Sequence, residues 1–304
     1  MKDFFIDKHD PNSKGPFIFA SRLKDELEKQ GNIFNPDSKN RLSIITGRYK
    51  KGSNNILRLD GLYLDSRNTK GNSSALNRRI FKCHKSYDHI VYQSEFSRSC
   101  YEAFTKKQRP NSIIYNGAPE YFFKKRKPID KPEGFEKVVI ASSKWRRHKR
   151  IEEAIAAFQS PKLKDVALVI LGGYKSIDSP NIFSLPRVKP NKLPNYLQMA
   201  DAMIHLSWLD WCPNSVVEGL ASGLPVLCSH NGGTKELVKE DGIVIQLEED
   251  YKIGEEVPLY RPPKVDIEII SDAVLRLIEM PKIKTREDLK IKNTALSYSK
   301  LFDS

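Results

Sequence analysis

The chain has 304 residues, 39% of them hydrophobic, which is comfortable for two packed cores and long for one. Its 51 lysines and arginines against 38 acids leave a formal charge of +13, which points to an anionic partner: nucleic acid, a membrane surface, phosphorylated substrates or an acidic polymer. No apolar run reaches the length of a membrane span, and "MKDFFIDKHD" lacks the apolar centre of a signal peptide, so the expected compartment is the cytoplasm.

In chain order, Pro16 to Gln30 predicts a helix with Leu23 and Leu27 inward and Gly31 as its stop. The segments "LSIITG", "NILRLDG", "HIVYQS" and "SIIYNG" read as strands separated by helices such as "EFSRSCYEAF". Proline and charge then dominate "APEYFFKKRKPIDKPEGFE", which reads as a linker. From residue 137 the rhythm is clearer: strand "VVIAS", helix "RIEEAIAAF", strand "VALVILGG", helix "PNYLQMA", strand "AMIHLS". A short helix capped by Asn214 and stopped by Gly223 precedes strand "PVLCS". "TKELV" and "GIVIQL" add a further pair, and "DIEIISDAVLRLIEM" closes with a long helix. Near-continuous apolar strands alternating with helices mean parallel sheets covered on both faces. The predicted fold class is α/β, with a first lobe over 1–118, a linker over 119–136, a second lobe over 137–283 and a C-terminal segment over 284–304.

Ligands of open parallel sheets bind beyond the carboxyl ends of the strands. In the second half those ends carry Ser143, Lys144 and Lys149, then Gly172 and Gly173, then Asp210 and the Asn214 helix start, then His230 to Gly233. Cations, backbone donors and carboxylates gathered on one edge suit a ligand with phosphates and a sugar: lysines neutralise phosphate, and a carboxylate such as Glu218 accepts two hydrogen bonds from a vicinal diol. Each piece alone has a plain structural reading, as surface lysine, strand-end turn or helical acid. The four cysteines show no C-x-x-C pair and no metal-ligand spacing, and read as reduced packing residues.

The stretch "DWCPNSVVEGLASGLPVLCSHNGGTKELV" resembles the signature of the GT4 family of retaining glycosyltransferases, which have the GT-B fold. That signature is an acid pair spaced by seven residues (here Asp210 and Glu218), a G-x-P-V (Gly223 to Val226) and a glycine turn before a further acid (Glu236). "SSKWRRHKRIEEAIAAF" is similar to the family's G-R-x4-K-G segment, with Lys144 on the arginine and Lys149 on the lysine. The resemblance implies two Rossmann-like lobes whose parallel sheets face across a cleft, acceptor in the first and nucleotide sugar in the second. It implies Glu218 on the nucleotide ribose and Lys144 with Lys149 on the diphosphate. Asp210 and the backbone of Pro213, Asn214 and Ser215 would face the donor sugar, with the base near Arg187, Val188 and Lys189. Ser143 and Gly173 join that donor set, and "NSKGP" places Gly15 at the donor phosphates. Asp60 and Tyr63 are candidates for the acceptor side or the cleft wall.

The implied co-substrate is a nucleotide-diphosphate sugar, with no metal and no other cofactor, and the implied acceptor a glycan or lipid-linked hydroxyl. Three departures stand out: Asp210 replaces the usual glutamate, Lys144 replaces an arginine, and the histidine the family carries near its donor site is not found. A nucleotide-sugar epimerase of the same fold and a basic nucleic-acid-binding module are the alternatives. The second leaves the acid pair without a role, because carboxylates repel phosphate backbones, so nucleic acid is not an expected partner. The basic surface leaves peripheral contact with an anionic membrane, at its inner face, or with an anionic polymer open.

Overall fold

The computed structural model describes residues 1–10, 15–64 and 73–302 and divides the chain into two α/β units. The first comprises Met1–Pro119, Lys252–Pro258 and Glu287–Ser304, and the second Glu120–Tyr251 and Leu259–Arg286.

The first unit opens with β1 (Asp3–Ile6), α1 (Gly15–Lys29), β2 (Ile33–Phe34), β3 (Asn40–Ile44) and β4 (Asn54–Arg58). It continues with α2 (Ser73–Ser86), β5 (His89–Tyr92), α3 (Glu95–Thr105) and β6 (Asn111–Ile113). The strands form one parallel sheet in the order β2-β1-β3-β4-β5-β6. The helix expected over 16–30 is α1, burying Phe19, Leu23 and Leu27. The sequence does not announce β1 and β2, because a terminal "DFFI" flanked by charge and a two-residue strand carry no usable period. They exist because the sheet accepts them, with Ile6 in register with Leu42 and Phe4 with Phe34.

The second unit runs β7 (Lys137–Ser142), α4 (Ile151–Phe158), β8 (Val166–Leu171), β9 (Ile182–Leu185) and α5 (Leu193–Met199). It then runs β10 (Ala202–His205), α6 (Asn214–Ala221), β11 (Val226–Ser229), α7 (Thr234–Val238), β12 (Gly242–Ile245) and α8 (Ile267–Leu277). Its parallel sheet has the order β12-β11-β10-β7-β8-β9. Every side chain of β8 is buried, which is why "VALVIL" has no polar alternation. Ile155, Phe158, Ile270, Val274 and Leu277 from α4 and α8 join the sheet residues Val139, Leu168 and Ile204 in one core. Asp266 caps α8 by accepting from the Glu268 amide at 2.9 Å. β9 was not anticipated, since "IFSL" alternates only partly buried positions.

The segment expected as a linker is held onto the second unit. The α5 amides clamp it: Gln198 accepts from the Arg126 amide at 2.7 Å and donates to Lys124 O at 2.8 Å, and Asn195 donates to Lys127 O at 2.7 Å. At its far end Lys131 pairs with Asp201 at 2.8 Å. The chain finally returns to the first unit as α9 (Ile291–Leu301), where Phe302 stacks on Phe4 at 5.7 Å and Tyr298 meets Phe19 at 6.4 Å. All four cysteines are buried and none forms a disulfide.

A buried aromatic cluster of the first unit encloses a histidine. His84 of α2 has no exposed surface, lies 2.7 Å from the Tyr92 hydroxyl through Nε2 and stacks on Tyr101 at 6.1 Å. Burial, helped by Arg109, Lys107 and Lys85, lowers its pKa to about 4. Above about pH 6.5 the ring is neutral in both folded and unfolded chain; below it the unfolded chain binds a proton that the folded one refuses, so stability falls as pH falls towards 4. We expect the loss of unfolding free energy between about pH 7.5 and about pH 5 to be roughly 1–2 kcal/mol smaller in His84→Phe than in the native chain. Urea titrations at the two pH values measure it, and an equal loss in both proteins would assign the acid sensitivity elsewhere.

Candidate active site

In the second sheet β7, β8 and β9 follow one another in one direction, while β10, β11 and β12 proceed in the other. The chain therefore diverges at the carboxyl ends of β7 and β10, which is where a doubly wound sheet opens a crevice. Loops from both sides are stitched together there. Trp208 N–H donates to His148 O at 2.8 Å, tying the β10 loop to the 147–149 turn beyond β7. Ser229 Oγ donates to Ser207 O at 2.8 Å, and Gly233 N–H donates to Asp210 O at 2.7 Å, tying it to the glycine turn after β11. Leu209 adopts φ 57° to deliver Asp210 into this junction, a left-handed conformation that costs a leucine energy. Gly232, at φ 95°, forms a bridge with Asp210, and a Cβ there would lie 2.7 Å from Asp210 O.

Asp210 is the electrostatic centre of the junction. Its Oδ2 receives Lys149 Nζ in a short ion pair and lies 3.1 Å from His205 Nε2, while Oδ1 accepts from the Trp211 amide at 2.9 Å. Burial alone would raise the pKa of this carboxyl; Lys149 and His205 reverse that and hold it well below the usual carboxylate range. His205 is itself kept neutral, chiefly by burial and further by Lys149, against the pull of Asp210. His148, on the turn beside Lys149, is lowered to about 3 by burial and by that lysine. The site is thus an ionised carboxylate, one ammonium and two neutral imidazoles.

The other candidate residues have unlike surroundings. Glu218 is buried on α6, eight residues after Asp210, rather than half-exposed as a plain helical acid would be. Pro213, Asn214 and Ser215 form the start of α6, but the cap differs from expectation. Pro213 occupies the N-cap position at φ −70°, ψ 120°, its carbonyl accepting from the Val216 and Val217 amides, and Asn214 is the first helical residue. Proline's fixed φ suits that position and displaces the expected cap by one residue. Gly172, at φ 114°, lets the β8 end press against Ser143 O, where a side chain would collide, and Gly173 comes next at φ 75° with open space around it. Lys144 and Arg187 are exposed, and Val188 is half-buried. Gly15, Asp60 and Tyr63 belong to the first unit. Gly15 begins α1, while residues 11–14 of its loop lie outside the described residues. Tyr63 is exposed, its backbone paired with Asn77 at 3.1 and 2.9 Å. Asp60 is committed to Arg58 and to Gln93, whose Nε2 donates to it at 2.8 Å.

Sequence reasoning passed over the two histidines and a buried frame behind them. His205 is the last residue of β10, five positions before Asp210, so attention to the final residue of each strand, as well as to the loop beyond, would have found it. Arg150, read as helical, instead adopts φ 52° as the cap of α4 and sends a fully buried guanidinium to Glu248 at 2.8 Å. Glu248 Oε1 in turn accepts from Asn231 of the glycine turn at 2.9 Å. Nothing local in the sequence pairs residues 150 and 248.

Comparison with known proteins identifies the family and the fold. The family model for glycosyl transferases group 1 matches residues 122–294, and the chain belongs to that family. It is a glycosyltransferase, of the EC 2.4 class, with the GT-B fold. The chain is similar in structure to the sucrose-phosphate synthase of Thermosynechococcus elongatus, with a TM-score of 0.73, 13% identity, and coverage of 99% of this chain and 98% of that one. An Escherichia coli trehalose-6-phosphate protein bound with UDP-2-fluoro glucose matches with a TM-score of 0.65 and 9% identity, over 100% and 99% of the chains. HepE of Anabaena in complex with UDP-glucose matches with a TM-score of 0.60 and 13% identity, over 99% and 95%. No curated protein sequence matches the chain.

The two glycines at positive φ separate strain from crowding. Gly173→Ala meets open space and is expected to cost about 1 kcal/mol for its backbone alone. Gly232→Ala must in addition move Asp210, and we expect roughly 2–3 kcal/mol. Urea unfolding of both variants measures the difference; equal costs would mean that the turn does not constrain Asp210.

Proposed function

We propose that this glycosyltransferase is a retaining enzyme of the GT4 type. It moves a sugar from a nucleoside-diphosphate sugar to a hydroxyl of a glycan or lipid-linked acceptor in glycan or polysaccharide biosynthesis. The observation that carries the reading is the Lys149–Asp210 pair where the second sheet diverges, beside the start of α6. A cation there can neutralise the departing diphosphate, and a carboxylate beside it can favour the positive charge that grows at the anomeric carbon. Amides at the α6 start add a positive end to the same place. The UDP sugars bound by HepE and by the E. coli protein support a nucleotide sugar as donor.

In this reading Lys149 and Lys144 take the diphosphate and Glu218 takes the ribose hydroxyls. Asp210 and the backbone of 213–215 face the sugar, with Ser143, Gly173, Arg187 and Val188 completing the nucleotide side. Gly15, Asp60 and Tyr63 remain the candidates that the first unit contributes. Attack comes from the face that the diphosphate leaves, with the departing phosphate accepting the proton of the acceptor hydroxyl. The lysines and backbone amides perform the charge neutralisation that a divalent cation performs elsewhere, so no metal enters the scheme. Among the described residues no helix is long and apolar enough to cross a membrane. We place the enzyme in the cytoplasm, with the basic surface as its contact to an anionic membrane or polymer.

Replacing Lys144 and Lys149 together by alanine is expected to weaken UDP binding by roughly 2–4 kcal/mol, the worth of two charge-assisted hydrogen bonds. Calorimetry with UDP, GDP and ADP on folded protein checks it, and unchanged affinity for a nucleotide that binds the native chain would end the diphosphate assignment. Turnover is expected to persist in EDTA. Complete loss, restored only by magnesium or manganese, would contradict the metal-free scheme.

A further inference from the structure

Asp210 Oδ2 is shared by two donors of unlike mobility. Lys149 stands on the 147–149 turn at the end of a four-carbon stem and keeps 15% of its side chain in solvent. His205 is the last residue of β10, locked in parallel register with Cys228, with only 4% of its side chain exposed. A carboxylate only accepts hydrogen bonds, so the 3.1 Å contact requires His205 Nε2 to carry the proton and leaves the lone pair on Nδ1. His148, on the loop that carries Lys149, also feels the charge of Asp210. It is neutral, and the hydrogen bonds to the Asp210 carboxylate come from Lys149, His205 and the Trp211 amide.

A diphosphate arriving at the end of β7 competes for Lys149. Resting on the donor-site reading above, we propose that His205 is the positioning residue of this site, holding the Asp210 carboxylate charged and aimed when Lys149 turns to the donor's diphosphate. The strand-end imidazole suits this task because its donor nitrogen cannot move with the ligand. The Trp211 amide fixes the other oxygen, so Asp210 keeps two of its three donors through the exchange.

The direct test is the ¹³C titration of the Asp210 carboxyl, with Lys149→Met standing in for a lysine that has left. Asp210 in Lys149→Met is expected to remain ionised across the neutral range. Adding His205→Leu is expected to raise its titration point by about one pH unit or more, and adding His205→Gln, whose Nε2 can donate from the same place, is expected to undo most of that rise. Thermal melts confirm folding of each variant. A titration point that is the same in Lys149→Met with and without His205→Leu would overturn the proposal, as would a rise that glutamine does not reverse. Saturation with UDP provides the ligand arm: it is expected to raise the Asp210 titration point further in His205→Leu than in the native chain, and an equal rise in both would overturn the proposal. If UDP, GDP and ADP all fail to bind, the donor-site reading falls, while the lysine-free titrations still decide whether His205 holds the carboxylate.

Discussion

A carboxyl group taken out of water gives up its charge unless opposite charge and hydrogen bonds come with it. Asp210 is such a group, and its ionisation is the condition under which the second unit's loops make chemical sense. The ammonium of Lys149, the imidazole N–H of His205 and the Trp211 amide arrive from the β7 side, the β10 strand and the loop itself. Remove the charge and the lysine loses its partner, His205 loses its tautomer, and the strained Leu209 holds nothing in place. The reversal of strand order allows this, because only there do the ends of two neighbouring strands leave space between loops that diverge.

What keeps the junction from collapsing is a second buried charge pair that takes no direct part in it. Arg150 and Glu248 are almost wholly out of solvent, and their pairing fixes the cap of α4 against the loop beyond β12. Through Asn231 the same carboxylate holds the glycine turn, whose Gly233 amide reaches Asp210 O. Such a pair gains little net stability over apolar packing, but either charge left alone costs about 3–5 kcal/mol. Its value here lies in geometry: three loops are referred to one rigid point, and Asp210 can be aimed without its ligand.

The central strands of the second sheet were legible because they are buried on both faces, so "VVIAS", "VALVIL" and "PVLCS" announce themselves by composition. The strands that were missed, β1, β2 and β9, are short and carry little hydrophobic signal, so only pairing to a formed sheet identifies them. At the site, residues adjacent in sequence to strand ends were legible: Lys149, Asp210 and the glycine turn. The long-range pairings were not. His205 lies within a strand and looks like a core residue, and the Arg150–Glu248 pair spans a separation that no local pattern encodes. The one-residue error at the α6 cap has the same origin. Asn214 is the better cap by side-chain chemistry, and Pro213 wins through backbone geometry that propensity does not weigh.

Asp60 shows how burial and partners sort acids that look alike in sequence. Like Asp210 it lies just past a strand of a parallel sheet, and burial pushes its pKa upward against the pull of Arg58. Its surroundings are otherwise opposite. Arg58 is buried in the last position of β4, stacked over Phe19 at 4.1 Å and bonded to Asn116 at 2.6 Å, so it cannot leave its carboxylate for a ligand. Gln93 bonds to Asp60 and to Leu59 O, closing the network on the strand ends of the same sheet. An acid whose counter-cation is immobile serves the scaffold of its own sheet edge. An acid whose counter-cation sits on a solvent-reaching stem, with a fixed imidazole in reserve, can exchange partners. By that criterion the proposed donor site rests on Asp210, while Asp60 is held by partners of its own sheet edge.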